Sequence, residues 1–529
     1  MLAVVWTREE MSGLRRPINL AVVAVLLIAV AVSACTPPAP VTEKVLDPRI
    51  VKSWNVDYWV ASDSAKTSIS PDGKYLLLVQ AGPEERVVAA VPLTEGDSEE
   101  VQLYRVDNSY LASSASLDFL TVGWMSPTEC AFLAVGDQNQ GPNKGKRGIS
   151  ILGGDITTGK SQEFAFIPLE MGHVRNMRFD PATGKLYLDM TGAIWTVDTK
   201  GKTARAVKEG LPTYDGLFYS RLSPDASAYV YELHEAASEH GIYLLETATG
   251  VQKPFALNGD TLSFYPAWSP DGQYVAMYNV ARLPGKTGTT WTKYAIYPAE
   301  DGPKPVATSI VVMDRSGRIV NTISMEDKVL GLFKWSHDSK SLAFAVGRAP
   351  EHTVDPEVDW VIPEIAWESV YTAKALEAAQ PSKVADVRIE SHVTDLYVEP
   401  IAFDGQNQGV YYQVSLFAGD TAIWYGASGK TPVQSKEGEP VKIADGYWQV
   451  YPEIPAFGDT LVALIGSPYE KASLWLLNSR EIKKADEWQG HYTVPIGFNE
   501  DTLVTCDMKG ESNNTITVRS MYSEKTAAK

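Results

Sequence analysis

The chain has little of what reactive sites are built from. Its 529 residues include three Cys and seven His. The His are scattered at positions 173, 234, 240, 337, 352, 392 and 491, and His234-Glu235 is followed by His240 rather than by a His at H-E-x-x-H spacing. That excludes a zincin on pattern. No G-x-S-x-G nucleophile elbow is present, and Gly426-Ala427-Ser428-Gly429 lacks its spacing. No D-x-D-x-D-G calcium loop appears, although Asp355, Glu357 and Asp359 are spaced to hold a cation weakly. No catalytic residue, metal site or cofactor is therefore assigned. Positive charge is also short, with 47 Lys and Arg against 65 Asp and Glu, a net charge of −18 and a pI of about 5.0. Nucleic acid is not an expected partner of such a surface. Its main expected effect is solubility.

Long apolar runs are nearly absent. The main one, Leu20 to Val32, is short of the ~20 residues that a helical membrane span needs. It follows Arg15 and Arg16 and ends in Val32-Ser33-Ala34-Cys35. A basic segment, an apolar segment and small residues at a cleavage point describe a secretory signal. A Cys directly after the small pair resembles the bacterial lipobox. The resemblance implies cleavage before Cys35 and acylation of its thiol. Residues 1–34 are then a lipoprotein signal peptide, and the start is Met1 or Met11. The partner of Cys35 is the lipid bilayer, at the extracytoplasmic face of the cell membrane, with acyl chains enough for stable anchoring. Thr36 is not the Asp that signals inner-membrane retention in some Gram-negative bacteria. An uncleaved membrane anchor with an incidental Cys is the alternative. Residues 35–50, with TPPAPVTEKVLDP, read as a Pro-rich tether.

What the chain does have is a repeated hairpin. YPAWSPDGQYVAMYNV (265–280) places S-P-D-G between two apolar runs. Pro270 pre-sets φ, Asp271 suits the next position, and Gly272 takes φ > 0. The same unit recurs as SISPDGKYLLLV (68–79), GWMSPTECAFLAV (123–135), RFDPATGKLYLDM (178–190), RLSPDASAYVYEL (221–233) and KWSHDSKSLAFAV (334–346). Weaker echoes begin at Ala402, Ala456 and Gly497. A second strand pair follows several of them, as in GIYLLETATG and IVVMDRSG. Four short strands per ~40 to 65 residues is the signature of a β-propeller blade. One blade cannot cover both its faces, so blades stack and close into a ring. The 14 Phe, 25 Tyr and 14 Trp suit such stacking. Trp124, Trp268 and Trp335 precede their turns at matching positions and read first as inter-blade packing, second as ligand platforms.

This pattern resembles the WD-like propeller repeats of the TolB family. It is also similar to the propeller of dipeptidyl-peptidase-IV-like enzymes, without their hydrolase domain. The resemblance covers roughly Ile69 to Ser523. It implies an all-β fold with a single β-propeller over 51–529. The TolB family's separate α/β domain has no counterpart in these residues, so that family's partners are not carried over. Nine turn signals are visible, some assignable to one blade or to an insertion. Eight blades are expected, with seven the alternative, and 51–60 is expected to close the ring by pairing with the last blade.

Two segments interrupt the repeat. The excursion 282–309 carries Lys286, Trp291, Lys293, Tyr294 and Tyr297, a candidate surface for a glycan or peptide. The insertion 351–386 contains PEIAWESVYTAKALEAAQ, which predicts one helix over 363–379, opened by Pro363 and stopped before Pro381. Lys144, Lys146 and Arg147 form a basic loop, read chiefly as solvated charge. Cys130 and Cys506 fall in apolar β-runs and read as core thiols rather than a disulfide.

The expected function is a membrane-anchored lipoprotein whose propeller is a non-catalytic, monomeric binding or scaffold module for an envelope protein or cell-wall polymer. Two alternatives stay open. One is a propeller enzyme acting on carbohydrate or peptide in the central channel. The other is an accessory lipoprotein that captures a small ligand.

Overall fold

The computed structural model of the chain describes residues 42–56, 58–61, 67–82, 85–94, 99–107, 118–138, 141–168, 174–190, 192–210, 217–235, 239–257, 261–281, 296–297, 304–305, 309–326, 328–348, 366–387, 396–416, 421–429, 434, 439–448, 456–457, 460–466, 471–478, 481–489, 492–508 and 514–526. They form two units, Met1–Asp47 with Tyr522–Lys529, and Pro48–Met521. The second contains the propeller.

Its strands make nine antiparallel blades, not eight or seven. In chain order the blades occupy 59–107, 118–168, 174–209, 217–257, 261–324, 329–386, 396–445, 447–489 and 492–526, the last completed by Thr42–Val56. Each of the nine turn signals belongs to its own blade. Blade 8 hides best, because its first strand is reduced to Tyr447–Trp448 and Ala456–Phe457, both paired to Thr460–Gly466.

The expected helix over 363–379 is also overturned. Its described part is the strand Ala366–Lys374, the third of blade 6, paired on both sides, and no helix occurs among the described residues. The Ala and Glu of this segment favour a helix only weakly. Trp367, Val370, Tyr371 and Thr372 fit a pleated surface better, and Val370 is fully buried between blades 6 and 7.

The recurring turn joins the first and second strands of a blade, and its keystone is a buried serine. Ser269 bonds Tyr274 O through its own amide at 2.9 Å, while its hydroxyl accepts from Tyr274 N at 3.0 Å and donates to Asp271 Oδ1 at 2.6 Å. Ser70, Ser223 and Ser336 repeat the arrangement. All four are at most 1% exposed. Two residues past the Asp-preceding proline or its equivalent, the backbone turns left-handed. Gly73 and Gly272 take that position with φ of 72° and 68°, and Ala226, Ser339 and Asn407 accept it at 56°, 61° and 58°.

Apolar clusters join blades 1 to 8 pairwise and join blade 9 back to blade 1. Blades 8 and 9 meet across a more polar face. There Arg519, 3% exposed, bonds Asp486 Oδ2 at 2.9 Å and Thr505 Oγ1 at 3.0 Å and lies 4.4 Å over the Trp488 ring. Ring closure comes from Thr42–Val56, whose Ser53 meets Thr517 at 3.2 Å and whose Asn55 accepts from Thr515 at 3.0 Å. The tryptophans are inter-blade fasteners. Trp124 Nε1 donates to Ser68 O of blade 1 at 2.7 Å, and Trp335 Nε1 to Ala267 O of blade 5 at 3.1 Å.

Candidate functional site

Antiparallel order puts the first-to-second and third-to-fourth turns on one rim, and the remaining connections on the other. Part of the turn rim is tied turn to turn. Arg315, in the second turn of blade 5, donates to Asp225 Oδ2 at 2.9 Å, Ser227 Oγ at 2.6 Å and Gly272 O at 2.5 Å, and stacks 5.2 Å over Trp268. Asp271 N donates to Ser339 Oγ at 3.0 Å, and His337 N to Asn407 Oδ1 at 3.2 Å, so blades 4 to 7 are linked turn to turn. Burial pushes the Asp225 carboxyl up, but bonds from Arg315, Ser223 and Ser227 outweigh it and hold the group well below the usual carboxylate range. The Ser316 hydroxyl and then Arg318 hold Asp314 at about 2 against some burial. A depressed carboxyl stabilises the fold above its unfolded value near ~4 and loses that contribution as pH falls through the folded value. Across blades 4 to 7 the described turns of this rim use these polar groups to fasten blade to blade.

The other rim carries the long connections of blades 5 and 6, 282–308 and 349–365, whereas that of blade 7, 428–440, falls on the turn rim. The candidate residues Lys286, Trp291, Lys293 and Tyr294 lie outside the described residues, as does Cys35. Of their excursion, Ile296–Tyr297 pairs with Lys304–Pro305. The connection 349–365 of blade 6 leaves from an ion triad, in which Glu368 takes Lys328 Nζ at 2.5 Å and Arg348 Nε at 2.5 Å. The basic loop of blade 2 is mostly engaged with itself. Lys146 Nζ donates to Asn143 Oδ1 at 3.0 Å, Asn143 to Glu163 Oε1 at 2.6 Å, and Arg147 approaches Asp137 at 3.8 Å. Lys144 is left exposed, so three free charges do not exist there.

A different group of residues meets at the axis. First strands of successive blades touch, as Val329–Trp335 of blade 6 touches Leu396–Phe403 of blade 7, so these strands line the centre. Both of these are bulged, between Leu330 and Phe333 and between Pro400 and Ala402. Lys334 stands exposed on one strand and Glu399 half-buried on the other. Burial raises the Glu399 carboxyl above its usual value, and the nearby Lys334 charge opposes the shift. In the neighbouring first strand, Thr261–Trp268, Tyr265 is held at φ 56° at a bulge. For a bulky side chain that conformation costs ~1–3 kcal/mol and calls for a local reason. Its ring meets Tyr278 edge-on at 5.9 Å, and Tyr278 meets Phe333 edge-on at 5.0 Å. The Tyr278 hydroxyl donates to Gly331 O at 2.7 Å, which fixes the ladder across blades 5 and 6.

Sequence reading missed Lys334 and Glu399. Their one local signal is a charge inside an apolar strand just before a turn, in FKWSHD and VEPIAFD. Among the described residues no group of three or more His, Cys, Asp or Glu is placed to hold a metal.

Cys130 and Cys506 are free and fully buried on the second strands of blades 2 and 9. Burial pushes both thiols up to about 12. At pH 8 the thiolate fraction is then ~10³-fold below that of an exposed cysteine near ~8.5. In a Cys35→Ser variant, labelling with Ellman's reagent is expected to be negligible in the folded protein and to reach both remaining thiols in urea. Prompt reaction in buffer would show that the blades open.

No protein-family model and no curated protein matches the chain. Solved structures resemble it at a distance. A putative dipeptidyl aminopeptidase IV from Bacteroides ovatus is 12% identical with a TM-score of 0.45, covering 77% of this chain and 60% of that one. A eukaryotic initiation factor structure is 12% identical with a TM-score of 0.45, covering 90% and 97%. An oligogalacturonate lyase from Vibrio parahaemolyticus is 12% identical with a TM-score of 0.34, covering 74% and 97%. Such likeness extends to the fold alone. The chain is a nine-bladed β-propeller on the evidence of its own sheets.

Proposed function

We propose that this protein is a lipid-anchored, extracytoplasmic binding module that does no chemistry of its own. The observation that carries the reading is the position of Cys35, directly after Val32-Ser33-Ala34 and an apolar run preceded by Arg15 and Arg16. The propeller supports the second half of the reading. Turns of blades 4 to 7 spend their polar groups on holding blades together, while the opposite rim bears the long connections of blades 5 and 6, and binding residues concentrate on such loops. The partner is an envelope protein or a wall polymer.

Two measurements test this. Cells fed labelled palmitate are expected to label the chain, and Cys35→Ser is expected to abolish the label and release the protein from the membrane fraction. An unlabelled native chain, or a variant that stays membrane-bound, overturns the anchor. Cross-linking on intact cells is then expected to capture one reproducible partner through the long-connection rim. Linked peptides confined to the turn rim overturn the assignment of surfaces.

A further inference from the structure

We propose that the turn rim of the propeller is a membrane-facing surface that rests on the headgroup boundary of the bilayer. The long connections of blades 5 and 6 then point away from the lipid. This rests on the reading of Cys35 as a lipid anchor. Strand polarity sets the end at which the chain enters the ring. Thr42–Val56 is the outer strand of blade 9. Its Ser53 meets Thr517 and its Asn55 meets Thr515, so it runs antiparallel to Asn514–Thr526. Counting back along that ladder sets Ile50 and Val51 level with Ser520 and Arg519. Ser520 is the partner of Thr502, which opens the second strand just after the first turn of the blade. Lys52 marks the same level independently. Its Nζ donates to Pro92 O at 3.2 Å, and Pro92 ends the third strand of blade 1 at the turn rim. The chain therefore enters the propeller unit, at Pro48, from the turn rim. Thirteen positions separate Pro48 from Cys35, a reach of about 45 Å at full extension.

The exposed apolar side chains point to the same rim. A single exposed aliphatic residue is ordinary on a protein surface. Here the distribution is one-sided. Among the described residues the large apolar side chains that stand exposed are Ile50, Val51, Val251 and Ile319, at 57%, 37%, 55% and 59%. All four fall at the turn-rim ends of outer strands. Val251 directly precedes Gln252–Leu257 of blade 4, and Ile319 opens Ile319–Ser324 of blade 5. Blades 4 and 5 stand across the nine-bladed ring from blade 9. Aliphatic contacts on opposite sides let the rim lie flat on an interface, with those side chains in the boundary between headgroups and acyl chains. The polar groups between them suit that place. Arg315, Asp225 and Ser227 already bond one another across blades 4 and 5, so contact with the interface costs them little hydration.

The test is fluorescence quenching on the full-length acylated chain in vesicles of phosphatidylethanolamine and phosphatidylglycerol that carry a headgroup spin label. Val251→Cys and Ile319→Cys place a bimane probe on the turn rim, and Lys144→Cys places it on the exposed loop of blade 2 at the other rim. Cys130 and Cys506 are buried, so with Cys35 acylated the introduced thiol is the one labelled. All three positions are exposed, and each variant is expected to keep the native circular dichroism. Quenching is expected to be at least threefold stronger at positions 251 and 319 than at 144. Equal quenching at the three positions, or the strongest at 144, overturns the orientation and leaves the anchor standing. A chain that does not float with the vesicles overturns the anchor, and this inference with it.

Discussion

Replacing Gly123 by Ala is expected to destabilise the propeller by about 3–5 kcal/mol, combining overpacking with backbone strain. Gly123 sits at the bulge in the first strand of blade 2, at φ 140°. A Cβ there would come 2.6 Å from Thr67 Cβ and 2.7 Å from Thr67 Oγ1. Thr67 cannot retreat, because its hydroxyl donates to Val122 O at 2.8 Å and its carbonyl accepts from Trp124 N at 3.3 Å. The same joint holds Ser68, whose carbonyl accepts from Trp124 and whose hydroxyl donates to Ile496 O of blade 9 at 2.8 Å. One methyl group therefore strains the contact among blades 1, 2 and 9. Gly429→Ala is the control, since among the described residues nothing lies within 4 Å of its Cβ position, and it is expected to stay within about 0.5 kcal/mol of the native protein. Urea unfolding followed by tryptophan fluorescence measures both. A Gly123→Ala midpoint equal to that of the control would show that blade 1 yields more easily than these contacts imply.

Ring architecture was legible because it is written in local chemistry. Ser, Pro, Asp and Gly at fixed offsets make the same turn wherever they fall, and all nine signals mark blades. The count fell short where the chemistry thins. AFGDTLVALI has no serine keystone, and its first strand is two fragments. The helix expected over 363–379 failed for the opposite reason. Local composition was clear there, but pairing with Ser341–Arg348 and Ser382–Asp386 decided the outcome. The axial residues illustrate a third limit. Lys334 and Glu399 sit on first strands that ring geometry brings into contact, and nothing in the intervening sequence records that adjacency.

Asp404→Ala is expected to cost about 3–5 kcal/mol, because one carboxylate does in blade 7 what two side chains do elsewhere. In the turns of blades 1, 4, 5 and 6 a serine hydroxyl accepts a backbone amide while a neighbouring Asp braces it. Blade 7 has neither that serine nor that Asp, but AFDGQNQG. Asp404 is fully buried at the serine's position. Its Oδ1 accepts from Gln408 N at 2.8 Å and Gln406 N at 3.1 Å, and its Oδ2 accepts from the Tyr425 hydroxyl at 2.8 Å. Alanine leaves the two turn amides and the Tyr425 hydroxyl without that acceptor, and the turn cannot refill the gap with water without opening. Asp404→Asn keeps an oxygen for the amides and is expected to cost only about 1–2 kcal/mol. Tyr425→Phe removes one of the three donors, so adding it to Asp404→Ala is expected to cost less than the sum of the two single changes. Strict additivity in that cycle would mean that the carboxylate and the hydroxyl stabilise blade 7 independently, and that the turn alone carries the loss.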